Sequence, residues 1–136
     1  MEAAKKVDHS FFFSYLGLER QEDEAGAAVL SVKLVDSHLS ETGKVAGGLF
    51  YTMLDAAMGT AVSEAGGAFG VTTDLHVQIL RNEASRLFVC KGYCSGIEGK
   101  NASGRGEIFD ESGRLVASGM AAFKLLTAEA KQSYKE

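Results

Sequence analysis

The chain has no proline and only two cysteines, and both scarcities limit its structure. Turns must form at the sixteen glycines and at short polar clusters. Cys90 and Cys94 lie four residues apart in a predicted strand, which separates same-face side chains by about 13 Å and excludes a disulfide. Two thiols without further ligands are a weak basis for a zinc site. We expect two small hydrophobic side chains in a reducing compartment and no bound metal.

The chain also lacks an excess of positive charge, and a signal peptide is not expected at its N-terminal residues. Its net charge is −4 and its basic residues are scattered, so nucleic-acid binding is not expected. The N-terminal MEAAKKVDHSFFFSYLG has neither the apolar run nor the cleavage site of a signal peptide. The apolar segment 44–64 is long enough for a membrane span, but it carries a central acid and many small residues. We predict a cytoplasmic protein that does not enter the membrane, with one domain over 1–136.

One long helix is predicted to start at Ala46-Gly47-Gly48 and to end at Gly66-Gly67. Its apolar residues repeat at helical spacing; they are Leu49, Phe50, Met53, Leu54, Ala57, Met58, Ala61 and Val62. The opposite side carries small residues instead of charges, namely Gly48, Thr52, Ala56, Gly59 and Ser63. We therefore expect both sides of the helix to be covered, one by the core and the other by a close neighbour such as a second subunit.

The remaining segments alternate like antiparallel strands. We predict a short helix over 8–15, a hairpin of strands 18–23 and 27–35, a polar loop over 36–44, strands over 71–79, 86–97, 101–110 and 114–126, and a frayed tail over 127–136. In strand 71–79 the odd-numbered residues should face one way, and the even-numbered Thr72, Asp74, His76 and Gln78 the other. Gly104 and Gly106 suit a strand bent over a helix. The fold class is α+β, an antiparallel sheet around one long central helix.

Asp55 is the only carboxylate between the charged ends of this apolar helix, Lys44 and Glu64. A buried charge is unfavourable unless it is paired or hydrogen-bonded. Asp55 is therefore either a structural ion-pair partner, for example of Arg81, or a catalytic carboxylate. Gly59, one turn later, has no side chain to cover it, which leaves room for a substrate or water.

The glycines at the helix start add a second chemical feature. A helix N-terminus presents unpaired backbone N–H groups and a partial positive charge. Gly47 and Gly48 allow a ligand oxygen to approach that backbone closely. Donors at the helix start and an acid two turns later fit acyl transfer, in which amides polarise a carbonyl and the carboxylate drives attack on it.

Three segments together resemble the PaaI-like hotdog thioesterases of the 4-hydroxybenzoyl-CoA thioesterase superfamily. They are HLSETGKVAGGLFYTMLDAAMGTAV, GVTTDLHVQILR and SGRGEIFDESGRLVASGMAAFKLL, and the resemblance extends from FFFSYLGLE to Leu126. It implies the hotdog fold, a homodimer that pairs into a homotetramer, and active sites at the dimer interface. It also implies hydrolysis of an acyl-CoA thioester without a metal or redox cofactor, since coenzyme A is part of the substrate.

The resemblance also implies roles for individual residues. Asp55 matches the general base or nucleophile, and the Gly47 N–H matches the group that polarises the thioester carbonyl. Thr72 matches a hydroxyl that places the attacking water, and Lys100 matches a basic contact to the coenzyme A phosphates. Ser40 stands where the family usually has Asn.

The acyl chain of the substrate is expected to lie against Phe50, Tyr51 and Met58. Ala46 stands where the family usually has His before the two glycines, which bears on rate and substrate choice more than on the fold. His38, in the preceding loop, is placed to reach the mouth of the site, and His76 is expected at the surface or at an interface.

Three other functions remain open at the level of the sequence. The absent Asn and His favour a non-catalytic acyl-CoA-binding protein. A hotdog hydratase or dehydratase would need a His or Glu at the site, and the helix-start motif has no His. A purely structural oligomer would hold Asp55 in the ion pair with Arg81. The chain has no Gly-Xaa-Ser-Xaa-Gly motif of serine hydrolases.

Overall fold

One antiparallel sheet and one long helix make up most of the fold. The structure is a computed structural model and describes residues 5–6 and 11–126. Its strands are β1 (Lys5–Lys6), β2 (Glu19–Arg20), β3 (Ala28–Lys33), β4 (Phe69–Ile79), β5 (Leu87–Glu98), β6 (Asn101–Asp110) and β7 (Leu115–Leu126), and its helices are α1 (Phe11–Tyr15), α2 (Gly47–Gly66) and a 3₁₀ turn, Asp36–His38. The strand order is β1-β2-β3-β5-β6-β7-β4. The predicted α+β arrangement is confirmed.

Helix α2 begins and ends at the predicted glycines. Ala46 before it is extended, with φ −65° and ψ 129°, and Gly67 after it is left-handed at φ +65°, a conformation that glycine adopts without a Cβ clash. All eight residues of the predicted apolar stripe are buried: Leu49, Phe50, Met53, Leu54, Ala57, Met58, Ala61 and Val62. None of the helices among the described residues is long and apolar enough to cross a membrane.

Glycines on the inner face of the sheet let it approach α2 closely. A Cβ atom at Gly92 would overlap the backbone of Ala57, and one at Gly106 would lie 3.0 Å from Leu54 Cδ2. Strand β6 buries alternate residues, Ala102, Gly104, Gly106, Ile108 and Asp110. The prediction that Gly104 and Gly106 share the core-facing side of their strand is confirmed.

Strand β4 contains a bulge that the predicted alternation did not include. Thr72 and Asp74 pair with consecutive residues of β7, so Thr73 between them is an extra residue. An extra residue reverses the facing of the side chains that precede it. After the bulge the prediction of a shared face is confirmed, and the residues on it pack against the core: Leu75, Val77 and Ile79. Before it the prediction is wrong, because Thr72 faces α2 and Thr73 is exposed.

The elements before α2 are shorter than predicted. The two strands of the hairpin shrink to β2 and β3, and the short helix to α1, which is followed by Gly17 at φ +85°. The turn is where it was predicted, because Ala25 and Gly26 both have positive φ and reverse the chain tightly. The predicted N-cap Asp8 and the tail 127–136 lie outside the described residues.

Both cysteines are free thiols. Cys90 is buried on β5, and its Sγ donates a weak hydrogen bond of 3.5 Å to the Met53 carbonyl oxygen. Burial raises the pKa of its thiol. Cys94 is half-buried. The prediction of small hydrophobic side chains is confirmed for Cys90 in full and for Cys94 in part.

Candidate active site

Asp55 lies in the middle of α2, at the margin of the stripe that packs on the sheet. Its carboxylate is half-buried and accepts a hydrogen bond of 2.5 Å from the hydroxyl of Thr72. The bulge in β4 produces this contact, because it turns Thr72 toward the helix. The two residues are 17 positions apart in the chain, so the pair depends on the packing of β4 against α2.

The electrostatic environment of Asp55 lacks a compensating cation among the described residues. None of the ion pairs found there involves Asp55 or Arg81. The prediction of an ion pair between Asp55 and Arg81, made for a purely structural role, is therefore wrong. Burial raises the pKa of the Asp55 carboxyl, and the hydrogen bond from Thr72 opposes that shift.

A cavity of about 270 Å³ opens beside Asp55 and Thr72. It is lined by the outer side of α2, the first half of β4, one residue of α1 and one of β7. The lining residues are Phe13, Asp55, Ala56, Gly59, Thr60, Ser63, Phe69, Gly70, Val71, Thr72 and Phe123. Three residues of the small-residue side of α2, Ala56, Gly59 and Ser63, therefore line an open space within this chain, and the carboxylate of Asp55 lies at its wall.

The helix start supplies the backbone donors that the sequence predicted. The N–H of Gly47 donates to no acceptor among the described residues, while the N–H of Ala46 is used by the His38 carbonyl at 2.9 Å. Gly48 is exposed, and no atom outside its own helical turn lies within 4 Å of a Cβ built there. Neither glycine lines the cavity beside Asp55.

Gly47 and Asp55 are separated along the helix axis. Eight residues at 1.5 Å each place them about 12 Å apart. A carbonyl and one attacking water, with contacts of about 3 Å each, do not span that distance comfortably. The donors of one chain and the carboxylate of the same chain therefore do not form one compact reaction centre.

Three other predicted site residues lie at the surface and away from the cavity. Ser40 is exposed and its hydroxyl is bonded to that of Thr42 at 3.0 Å. Lys100 is exposed in the turn between β5 and β6. Tyr51 is 47% exposed and lies beside Gly47, with its hydroxyl 3.7 Å from a Cβ built there. Tyr51 is thus near the helix-start donors and not near the acid.

Phe50 and Met58 do not line the cavity, and their predicted contact with the acyl chain is not found within this chain. Both are fully buried in the core between α2 and the sheet. Phe50 packs edge-on against Phe88, with ring centroids 5.2 Å apart. Both residues belong to the stripe that faces the sheet, and the cavity lies on the other side of the helix.

The two histidines singled out in the sequence are also placed away from the site. His38 is buried; its Nε2 lies 2.8 Å from the Leu16 carbonyl oxygen and its Nδ1 accepts the Val35 N–H at 3.1 Å. These two contacts stabilise the loop before α2. His38 does not reach the mouth of the site, contrary to the prediction. His76 is exposed on the outer face of β4, as predicted.

The sequence reasoning missed the aromatic walls of the cavity. They are Phe13 on α1, Phe69 at the start of β4 and Phe123 on β7. The sequence contained a signal for Phe123, because it lies at every-second-residue spacing from Ala121 and Leu125 and therefore on the same face of the predicted last strand. Phe13 stands in the run FFFSY, in which no periodicity distinguishes one ring from the next.

An antiparallel sheet wrapped around one helix, with an acid on that helix beside a cavity, is a hotdog-type arrangement. The model of the thioesterase superfamily matches residues 42–117, which include Gly47, Asp55 and Thr72. This match covers more than half of the chain, and the chain belongs to the thioesterase superfamily. No curated protein gave a match.

Solved structures of similar proteins share the fold over most of their length. A thioesterase-superfamily protein from Bordetella bronchiseptica has a TM-score of 0.82 and 28% identity, with 88% of this chain and 92% of that chain covered. A mutant of the phenylacetic acid degradation protein PaaI from Thermus thermophilus has a TM-score of 0.76 and 24% identity, with coverages of 85% and 98%. A hypothetical thioesterase from Streptococcus pneumoniae, whose structure was determined with coenzyme A, has a TM-score of 0.74 and 23% identity, with 81% of this chain and 86% of that chain covered. The hotdog fold and the PaaI-like resemblance are confirmed.

Proposed function

We propose that this protein hydrolyses an acyl-CoA thioester to a free acid and coenzyme A, with Asp55 as the general base or nucleophile. Membership of the thioesterase superfamily supports thioester hydrolysis as the general reaction. The observation that carries the proposal is a half-buried carboxylate, bonded to a hydroxyl and without a cationic partner among the described residues, at the wall of a cavity. A similar hypothetical thioesterase binds coenzyme A, which supports the choice of substrate.

In the proposed reaction, Asp55 removes a proton from a water molecule that Thr72 helps to position. The water oxygen attacks the thioester carbonyl carbon, and the Gly47 N–H stabilises the negative charge that develops on the carbonyl oxygen. The C–S bond then breaks, and the leaving sulfur takes up the proton. In the nucleophilic variant, the carboxylate attacks the thioester carbonyl and expels the coenzyme A thiolate; water then hydrolyses the mixed anhydride, which restores Asp55, releases the acid and supplies the proton that the thiolate takes up. Either route needs no metal or redox group.

The proposal includes a second copy of the chain in each active site. Within one chain Gly47 and Asp55 lie about 12 Å apart along α2, so the carbonyl-polarising donor has to come from a partner. Strand β4, which carries Thr72, is the edge of the sheet and pairs only with β7 among the described residues. Residues 70–79 of this edge pair with no second strand among the described residues, and such an edge is suited to pairing with a second copy. We propose a dimer, paired further into a homotetramer, in the cytoplasm.

The test is hydrolysis by wild type, Asp55→Asn and Asp74→Asn, measured as thiol release from a panel of short, medium and aromatic acyl-CoAs. Asp55→Asn should lower turnover by at least about a thousandfold, because the amide cannot accept the proton or attack the carbonyl. Its fold should be retained, since an amide oxygen still accepts the Thr72 hydrogen bond. Asp74 is exposed on the same strand as Thr72, and its change to Asn serves as the isosteric control. Unchanged turnover in Asp55→Asn would remove the mechanism.

A second candidate function is binding of acyl-CoA without hydrolysis. It is favoured by the side chains at the helix start, because Ala46 offers no side-chain hydrogen bond there and the Ser40 hydroxyl is bonded to Thr42. The same panel separates the two functions. Tight binding of acyl-CoAs with no thiol release from any of them would establish the binding protein.

A further inference from the structure

Gly59, in the interior of α2, is not explained by the packing of this chain. A glycine of the sheet that faces α2 can leave no room for a side chain; a Cβ at Gly92, for example, would overlap the backbone carbonyl of Ala57. A Cβ at Gly59 would meet Phe123 Cε2 at 3.5 Å, an ordinary van der Waals contact, and Gly59 has no positive φ. Alanine favours a helix more than glycine does. The chain therefore has a helix-weakening residue at a position where alanine would fit.

The consequence of Gly59 is open space one turn beyond the carboxylate. Four residues of helix place Gly59 about 6 Å from Asp55 along the axis, and both residues line the same cavity. Three aromatic residues are among those that line this space, Phe13, Phe69 and Phe123. A carbonyl held at Asp55 would direct the group attached to it over Gly59 and between these rings.

We propose that this space is the acyl pocket and that Gly59 sets the size of the acyl group it admits; the proposal rests on the thioesterase function above. A cavity of about 150 Å³ lined by apolar side chains holds a benzene molecule. The cavity here measures about 270 Å³, which suits a single ring with its linking atoms or a short branched chain. Rings also pack favourably against aromatic walls, edge to face or offset. The preferred substrate therefore carries a compact acyl group, and long unbranched chains are disfavoured.

The first experiment compares kcat/KM for benzoyl-CoA and acetyl-CoA in wild type, Gly59→Ala, Gly59→Leu and Ala65→Leu. A side chain at position 59 should reduce kcat/KM for benzoyl-CoA by about tenfold in Gly59→Ala and by more than about a hundredfold in Gly59→Leu. Acetyl-CoA has only a methyl group to place, so its kcat/KM should change by less than about twofold in Gly59→Ala. Ala65 is exposed in the last turn of α2 and does not line the cavity, so Ala65→Leu should leave both substrates unaffected.

The second experiment does not depend on turnover. The dissociation constant of phenacyl-CoA, a stable thioether, is measured by calorimetry beside that of coenzyme A. Gly59→Leu should weaken phenacyl-CoA at least about tenfold and leave coenzyme A unchanged. If wild type hydrolyses no thioester but shows this selective loss, hydrolysis is refuted and the acyl pocket stands.

Three results would overturn the acyl pocket. The first is equal affinity of wild type for phenacyl-CoA and coenzyme A. The second is an equal loss of affinity for both in Gly59→Leu. The third is dissociation of the oligomer by Gly59→Leu in sedimentation, which would assign Gly59 to a subunit contact.

Discussion

At the scale of single residues, the fold holds Asp55 in an environment that is less favourable to its charge than water. The carboxylate is half-buried, and the described residues offer it one hydrogen bond and no ion pair. Burial raises the pKa of Asp55 from its ordinary value, with the Thr72 hydroxyl acting in the opposite direction. A carboxylate with a raised pKa is a better proton acceptor near neutral pH, so the property that weakens the fold assists the proposed reaction.

This raised pKa predicts how the stability of Asp55→Asn should depend on pH. Because the folded pKa of Asp55 lies above the ordinary value of 3.8, the folded state binds the proton more tightly than the unfolded state. Stability contributed by Asp55 is therefore present below that value and is lost as pH rises through the folded pKa. The free energy of unfolding of Asp55→Asn, taken relative to wild type, should increase as the pH is raised from acidic to neutral. Urea unfolding at several pH values measures this, and a stability difference between variant and wild type that stays constant or falls from acidic to neutral pH would contradict it.

The residues of the site differ in how far the sequence could predict them. Asp55 was predictable because a lone acid in an apolar helix is unfavourable unless it is paired or hydrogen-bonded, which marks it as a candidate functional residue. The contact of Thr72 with Asp55 depends on an extra residue in β4, and nothing in GVTTDL marks a bulge. Phe50 and Met58 were assigned to the substrate because apolar side chains suit an acyl chain. The sheet covers that stripe of the helix, and they are core residues.

At the scale of elements, the start of α2 has space for a side chain at Gly47, and the Gly47 N–H has no acceptor among the described residues. Gly47 is the first helical residue, and Ala46 before it is extended. The helix bounds were predictable, because glycine ends helices and the apolar residues repeat at helical spacing. The lengths of β2 and β3 were not, because the pairing of short strands depends on contacts that are distant in sequence.

This geometry allows a test of the Gly47 N–H by removing only that group. Proline is accepted at the first helical position and requires an extended residue before it, which Ala46 provides. The space at Gly47 also admits a side chain, since a Cβ there would lie 3.5 Å from Ile79 Cδ1. Gly47→Pro should lower kcat by about 10²–10³ with little change in thermal stability. Gly47→Ala retains the N–H and should remain within about tenfold of wild type; equal activity of the two variants would exclude the donor role.

At the scale of the whole molecule, the separation of donor and acid predicts how two inactive variants should behave together. If the Gly47 N–H of one subunit serves the Asp55 of its partner, a mixed dimer of Gly47→Pro and Asp55→Asn contains one site with both defects and one intact site. After unfolding and refolding of an equal mixture, half of the dimers are mixed, and about a quarter of the wild-type activity should return. Each variant refolded alone is the control. If both groups acted within one chain, every site in the mixture would keep one defect, and the absence of any recovery in a mixture shown to contain mixed dimers would refute the shared site.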